Sequence, residues 1–375
     1  MPFEVDPPTD CENCPYGYCV SYSPRGQEDR NPRFTLHKYV GWTCAFDSFV
    51  PGFKNDEYDE TYDFYVEQMI QNAQDAGEHL FDIGHFDETF DDAGIEYPEE
   101  FQFTASGVGQ VRGDTYEVLV RAAFWNAAAY WNQYLDTGNW PLDRPVPDVD
   151  LDDKMCIFTL GDQYTLKRLF APKYRELYDE LEEQLERQDT VFDFSKPDAL
   201  VVRTKNLPDE AVEVFSEPFD HLDKNKRDTL QKATDYVEGH VRPQDMVAAI
   251  ASKTSGRADR NYQVVFEANA WRTMFDALFQ MESRKYYMVI PGRYGSDVDK
   301  SVSTAWLPSM QVKDGRITAE SAIENDILME SPSETIDWFY ESLLPLAAET
   351  PSDDFDTGLF DQFDIQTQSQ ENDQQ

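Results

Sequence analysis

The chain has 375 residues, 40% of them hydrophobic and 14% aromatic, enough for one large or two modest domains with a substantial core. Its 73 acidic residues against 32 basic ones leave a net charge of −41, which excludes the broad basic footprint that usually meets duplex nucleic acid. The acid is spread between ordinary core residues, as in a halophilic protein solvated for a high-salt cytoplasm; an acidic DNA-mimic protein is the other reading.

The N-terminus, Met-Pro-Phe-Glu-Val-Asp, has neither a basic nor an apolar segment of a secretory signal. No run approaches the roughly eighteen apolar residues of a membrane span. A soluble cytoplasmic protein with no membrane contact is expected. Residues 1–60 are rich in Pro, Gly, Tyr and Cys and read as irregular. Cys11, Cys14, Cys19 and Cys44 are candidates for a structural four-thiolate Zn²⁺ site, with His37 as a substitute ligand. The paired C-x2-C knuckles of a zinc ribbon are missing, so buried or unpaired thiols are the alternative. Cys156 stands alone.

Asp59 to His79 reads as an amphipathic helix, and the Asp/Gly-rich stretch to Glu100 as loop. Gly113-Asp114 precedes an apolar-periodic helix, Thr115 to Leu135, which Asp136-Thr137-Gly138-Asn139 ends. Met155–Leu160 is a short strand, and Tyr164 to Gln188 a charged helix with one apolar stripe. Ala199–Arg203 is a β-branched strand, Val212 to Gly239 is mixed and largely helical, and Met246 to Ser252 is a small apolar strand. Arg260 to Glu282 is a helix, and Tyr286–Pro291 and Ser303–Leu307 are strands. From about Ala348 the composition turns to Asp, Ser, Thr, Gln and Pro, with a short apolar patch at Leu359, Phe360 and Phe363. The order is α+β, a central mixed sheet flanked by helices. The expected division is an N-terminal region 1–100 with the cysteine cluster, a catalytic domain 101–345 and a disordered acidic tail 346–375.

The chemistry gathers around two of these strands. Pro197 lacks a backbone donor and sets Asp198 at the mouth of a strand, where a carboxylate suits Mg²⁺. Lys253 ends the neighbouring strand, and its ammonium can orient an attacking water and offset charge on a phosphoryl group. In the commoner nuclease pattern, Pro-Asp is followed by a strand bearing Glu-x-Lys. Here Ala251 stands two before the lysine and cannot hold metal, so Glu267, on the following helix, must supply the second acid. Arg203-Thr204-Lys205 imitates the usual triplet but lies on the Asp198 strand and has no acid, which makes it a false lead. Taken singly, Asp198 is also readable as a turn residue, Lys253 as a solvated strand end and Glu267 as a surface helix residue.

Between the lysine and the glutamate lie Arg257, Asp259 and Arg260, where the chain enters a helix after Gly256. Arginine can bridge guanine O6 and N7, and aspartate can accept from cytosine N4, so the cluster suits adjacent G·C pairs. A helix cap at Asp259 with solvated arginines is the plain alternative.

Ser252-Lys253, Arg257-x-Asp259-Arg260 and Glu267, with upstream Pro197-Asp198, resemble the NgoMIV family of type II restriction endonucleases, of the group that recognises a CCGG core. The motif-bearing likeness runs from about residue 110 to 267, with an expected extension through the strands to residue 340. It implies a PD-(D/E)xK-like, restriction-endonuclease-like core whose second acid has migrated onto the helix. It also implies that Arg257, Asp259 and Arg260 read CCGG in the major groove. An upstream glutamate near the metal and a glutamine contacting bases from the minor groove are further implied, and Glu117 and Gln110 stand at that spacing. Asp114-x-x-Glu117 fits a helix capping box equally well.

The expected function is thus Mg²⁺-dependent hydrolysis of double-stranded DNA at a palindrome with a CCGG core, GCCGGC among the candidates. A homodimer or homotetramer and a cytosine DNA methyltransferase as functional partner go with it. The competing readings are a repair or recombination nuclease, and a non-catalytic acidic metal-binding or DNA-mimic protein.

Overall fold

The computed structural model describes residues 18–22, 34–40, 60–84, 87–88, 91, 105–160, 164–189, 197–219, 224–253, 258–292, 303–313 and 316–350. In the N-terminal region β1 (Tyr18–Tyr22) pairs with β2 (Phe34–Val40) in an antiparallel hairpin, so the stretch read as irregular contains two strands. Its Pro and Gly content had masked them. Cys19 and His37 lie on this hairpin, whereas Cys11, Cys14 and Cys44 fall outside the described residues.

The fold is α+β, a mixed five-stranded sheet flanked by helices. In spatial order the sheet runs β3 (Met155–Phe158), β4 (Ala199–Arg203), β5 (Met246–Ser252), β6 (Lys285–Ile290) and β9 (Asn325–Leu328). Strand β4 pairs antiparallel with both β3 and β5, and β5, β6 and β9 are parallel. A further hairpin pairs β7 (Gln311–Lys313) with β8 (Arg316–Thr318). Every residue of β3 and β4 is buried, as are the first six of β5. Continuous apolar runs such as Ala-Leu-Val-Val and Val-Ala-Ala-Ile-Ala mark strands covered on both faces.

Helix α1 (Tyr62–Asp82) packs against α2 (Ala105–Thr137), with the Tyr62 and Tyr116 rings edge to face. The Tyr62 hydroxyl shares a 2.7 Å hydrogen bond with Thr335 on α8 (Pro332–Trp338), so three helices meet at one buried point. Helix α2 is joined to the sheet edge by Asn132. Its amide donates to Met155 O and its Oδ1 accepts from Met155 N, both at 2.8 Å, completing the backbone pairing at the start of β3. Asn126 does the same for the Phe219 backbone, at 2.9 and 2.7 Å. Burying these amides is tolerated because each both donates and accepts a hydrogen bond.

The structure moves several boundaries. Helix α2 starts at Ala105 rather than Thr115, so Gly113-Asp114 lies inside it and the Asp114–Glu117 pair does not stand at the helix start. Val111, Thr115, Tyr116 and Leu119 are buried, and that packing outweighs the roughly 1 kcal/mol a helical glycine costs. Its C-terminus falls at the expected place, with Gly138 at φ +70°, a left-handed conformation suited to glycine. The Tyr164–Gln188 helix is interrupted: a 3₁₀ turn, Leu166–Leu169, leads to extended Phe170 and Ala171, and α3 (Pro172–Glu186) begins at its proline. The helical stretch before β5 resolves into α4 (Asp209–Phe215), α5 (Lys224–Gln231) and α6 (Ala233–Val237). The regular part of the next helix, α7 (Ala258–Thr273), passes into a π turn, Met274–Leu278.

Ser303–Leu307 is not a strand; Ala305 makes a single bridge to Ser321, and Pro308 sits in the 3₁₀ turn that follows. Strand β9 takes the sheet position instead. After α8, a π turn (Phe339–Leu343) and α9 (Leu344–Glu349) carry the fold past the boundary expected at 346, with Ala347 buried. Leu359, Phe360 and Phe363 fall outside the described residues. Among the described residues no helix is long and apolar enough to cross a membrane.

Candidate active site

Antiparallel pairing of β4 with β5 sets the site. Ala199 is opposite Ile250, so Asp198, one residue before β4, stands beside the C-terminal end of β5. Its Oδ2 accepts from the Ser252 backbone N–H at 2.7 Å and from Lys253 Nζ at 3.2 Å. The Lys253 backbone N–H donates to Val289 O at 2.9 Å, continuing the parallel ladder with β6 one residue beyond β5. Lys253 is therefore held by its backbone on one side and its ammonium on the other, and only 9% of it is exposed. The Asp198 side chain keeps 30% exposure, and among the described residues its Oδ1 has no partner.

Helix α7 leaves β5 and packs back on β6, bringing Glu267 in from the side. Glu267 is 2% exposed. Its Oε1 accepts from the Gln263 amide at 2.8 Å, and its Oε2 accepts from the Tyr286 hydroxyl at 2.9 Å. Tyr286, on β6, is 1% exposed. Its phenol is pushed well above the usual tyrosine range, first by burial and then by the negative charges of Glu267 and Asp198. One protonated phenol thus lies in the field of both carboxylates. The sequence held no signal for it: Tyr286 and Tyr287 are adjacent in a buried strand, and only the pleat sends Tyr286 to Glu267 and Tyr287 to the ring of Trp338.

Asp198 and Lys253 are in direct contact, and Glu267 is reached through Tyr286. Glu117 sits on α2, ion-paired with Arg121 one turn on, and among the described residues makes no bond to Asp198, Lys253 or Glu267. Gln110 lies two turns earlier on the same helix. Asp259 and Arg260 occupy the first turn of α7, the helix that carries Glu267. Arg257 falls outside the described residues. Arg203, the false lead, closes the other end of β4. It is buried, pairs with Asp153, and donates to Gln244 O, Ala347 O and Thr350 O, which gives it a structural role.

Among the described residues no cluster of three His, Cys, Asp or Glu side chains is arranged to hold a metal. A pair of carboxylates still fits Mg²⁺, which commonly takes one or two protein oxygens and completes its shell with water and phosphate. The Asp198 Oδ1, half-open and unengaged, is the donor most suited to it. Lys253 can meet negative charge on a phosphoryl group beside that oxygen.

A family model described as Cfr10I/Bse634I restriction endonuclease matches residues 95–342. The fold resembles a solved structure titled "Crystal structure of Type IIF restriction endonuclease Bse634I with cognate DNA", with a TM-score of 0.60 and 17% identity over 87% of this chain and 97% of that one. A second structure, "Bse634I restriction endonuclease", gives a TM-score of 0.58 and 18% identity over 86% and 96%. No curated protein sequence is significantly similar to the chain.

Proposed function

The chain belongs to the Cfr10I/Bse634I restriction endonuclease family, a family of DNA-cleaving hydrolases, and on that premise we propose that it is a type II site-specific deoxyribonuclease, Mg²⁺-dependent and directed to a palindrome with a CCGG core. The observation that carries the catalytic half of this reading is the Asp198 clasp: one carboxylate oxygen binds Ser252 and Lys253 across the β4–β5 junction and leaves the other oxygen half-open.

Asp198 and Glu267 would hold the Mg²⁺, with Glu117 nearby as a further acid. Held there, Mg²⁺ would supply Lewis-acid polarisation of a phosphoryl group. Lys253 balances the negative charge that grows on the phosphoryl group and helps orient the attacking water. Burial strengthens both effects, because few waters remain to screen them. Arg257, Asp259 and Arg260 read the G·C edges of the core from the major groove, and Gln110 contacts bases from the minor groove. Arg260 and Glu267 share α7, so the proposed reader and the second acid are carried by one helix. This motif set also underlies the likeness to the NgoMIV group.

A two-fold palindrome calls for a homodimer or a homotetramer, and a host that carries this cutter needs a cytosine DNA methyltransferase to protect its own sites. The solved relative with cognate DNA supports duplex DNA as the partner. Residues 101–345 form the proposed catalytic domain, with α1 docked on it from the N-terminal region. The cysteine-rich start is proposed to bind structural Zn²⁺, and the cell to be a halophile with the protein in its cytoplasm.

Digestion of plasmid DNA of known sequence with Mg²⁺ across a salt series, followed by sequencing of the ends, tests the reading. Cuts confined to palindromes containing CCGG support it. Cuts at nicks or branches point to a repair nuclease, and an intact plasmid under every condition rejects it.

A further inference from the structure

Glu267 cannot position itself. It enters from a helix, whereas Asp198 and Lys253 belong to the sheet, so something must set the distance between the two. Its carboxylate is almost wholly buried, and a buried carboxylate needs donors. Gln263 lies one turn earlier on α7 and orients the carboxylate only relative to its own helix. Tyr286 is different, because it stands on β6. That strand is laddered to β5 and its Val289 carbonyl accepts the Lys253 N–H. The phenol therefore links the acid on the helix to the same rigid ladder that carries the lysine.

We propose that Tyr286 is a positioning residue for the second metal-holding carboxylate, its hydroxyl fixing Oε2 of Glu267 against the sheet that bears Asp198 and Lys253. This rests on the nuclease reading above. Phenylalanine would keep the ring packing and remove the donor by which β6 holds Oε2, loosening the tie between the carboxylate and the sheet. The loss should appear first as weaker metal binding. Protein–DNA contacts, made elsewhere, should be spared.

The test compares wild type, Tyr286→Phe, Tyr287→Phe and Glu267→Gln. Tyr287 is the control, on the same strand but packed on Trp338 on the opposite face. Mn²⁺ affinity is measured by calorimetry without DNA, together with the rise in thermal midpoint that Mn²⁺ produces in each variant over its own metal-free value. Tyr286→Phe should weaken Mn²⁺ binding at least about tenfold, of the order expected when an outer partner of a metal ligand is lost. It should regain cleavage as Mg²⁺ is raised and keep specific DNA binding in metal-free buffer. Wild-type Mn²⁺ affinity in Tyr286→Phe, or an equal loss in Tyr287→Phe, overturns the proposal. If Glu267→Gln also binds Mn²⁺ like wild type, the metal reading itself has failed, a different result. Should Tyr286→Phe not fold, the wild-type chain carrying ¹³C-tyrosine decides. Mn²⁺ should broaden the Tyr286 ring signal at the lowest additions, and an unbroadened signal overturns the proposal.

Discussion

At Asp198 one oxygen is engaged by Ser252 and Lys253 and the other stays half-open, and this division makes the proposed role testable. Asp198→Asn preserves the shape but removes the charge, and Lys253→Ala removes the ammonium. Each should lower the cleavage rate by on the order of 10²–10³-fold or more, with specific DNA binding retained. Wild-type cutting by either variant would unseat the catalytic assignment. Away from the site, Asp245 is buried, and burial is the main reason its carboxyl titrates above the usual range, with Asn206 and Arg242 opposing. The sign follows directly. Above the ordinary aspartate value, near pH 4, the unfolded chain has already released this proton while the folded chain retains it. This residue's contribution to stability therefore falls as pH rises from the unfolded toward the folded value, and stays lost above it. Urea midpoints of Asp245→Asn, compared with wild type from pH about 4 upward, should lack that falling component. Parallel curves would contradict the raised value.

Among the elements, α7 and α2 carry the most weight. Helix α7 carries Asp259 and Arg260 in its first turn and Glu267 two turns later, so the proposed reader and the proposed second acid share one helix. Arg260→Ala should lose about 1–3 kcal/mol of preference for the CCGG core and leave binding to random DNA nearly unchanged, as titrations against both DNAs would show. An equal loss on both would reveal a phosphate contact instead. The early start of α2 has its own test at Gly109, where an added Cβ meets nothing within 4 Å. Gly109→Ala should stabilise the fold by about 0.5–1 kcal/mol through helix propensity. A lower thermal midpoint would mean that residue 109 is not helical in solution.

For the whole molecule the dominant quantity is the charge of −41, carried toward a polyanion. DNA binding normally weakens by roughly 0.9 log units per log unit of salt for each phosphate neutralised. With few basic residues the protein should make few such contacts, while salt screens its own repulsion and steadies the fold. Initial cleavage rates from about 0.1 to about 3 M KCl should then peak at molar salt. A maximum near the low end with a steady decline would reject halophilic adaptation.

The α+β order, both central strands Ala199–Arg203 and Met246–Ser252, and the C-terminus of α2 were legible in the sequence. Each depends on local chemistry: continuous apolar runs, a proline before Asp198, and a glycine able to take positive φ at 138. Asp198, Lys253 and Glu267 could be singled out because their types and order are chemically unusual. Other features were decided only by packing. The start of α2 depends on Val111 and Tyr116 finding a core, and the exposed or half-buried strand β9 shows little apolar pattern of its own. The partnership of Tyr286 with Glu267 depends on which face of β6 meets α7. Sequence determined which groups were present and which strand ends they occupied. Only the tertiary structure decided which of two adjacent tyrosines would meet the buried acid, because a strand's alternation acquires an inside and an outside only when a helix covers it.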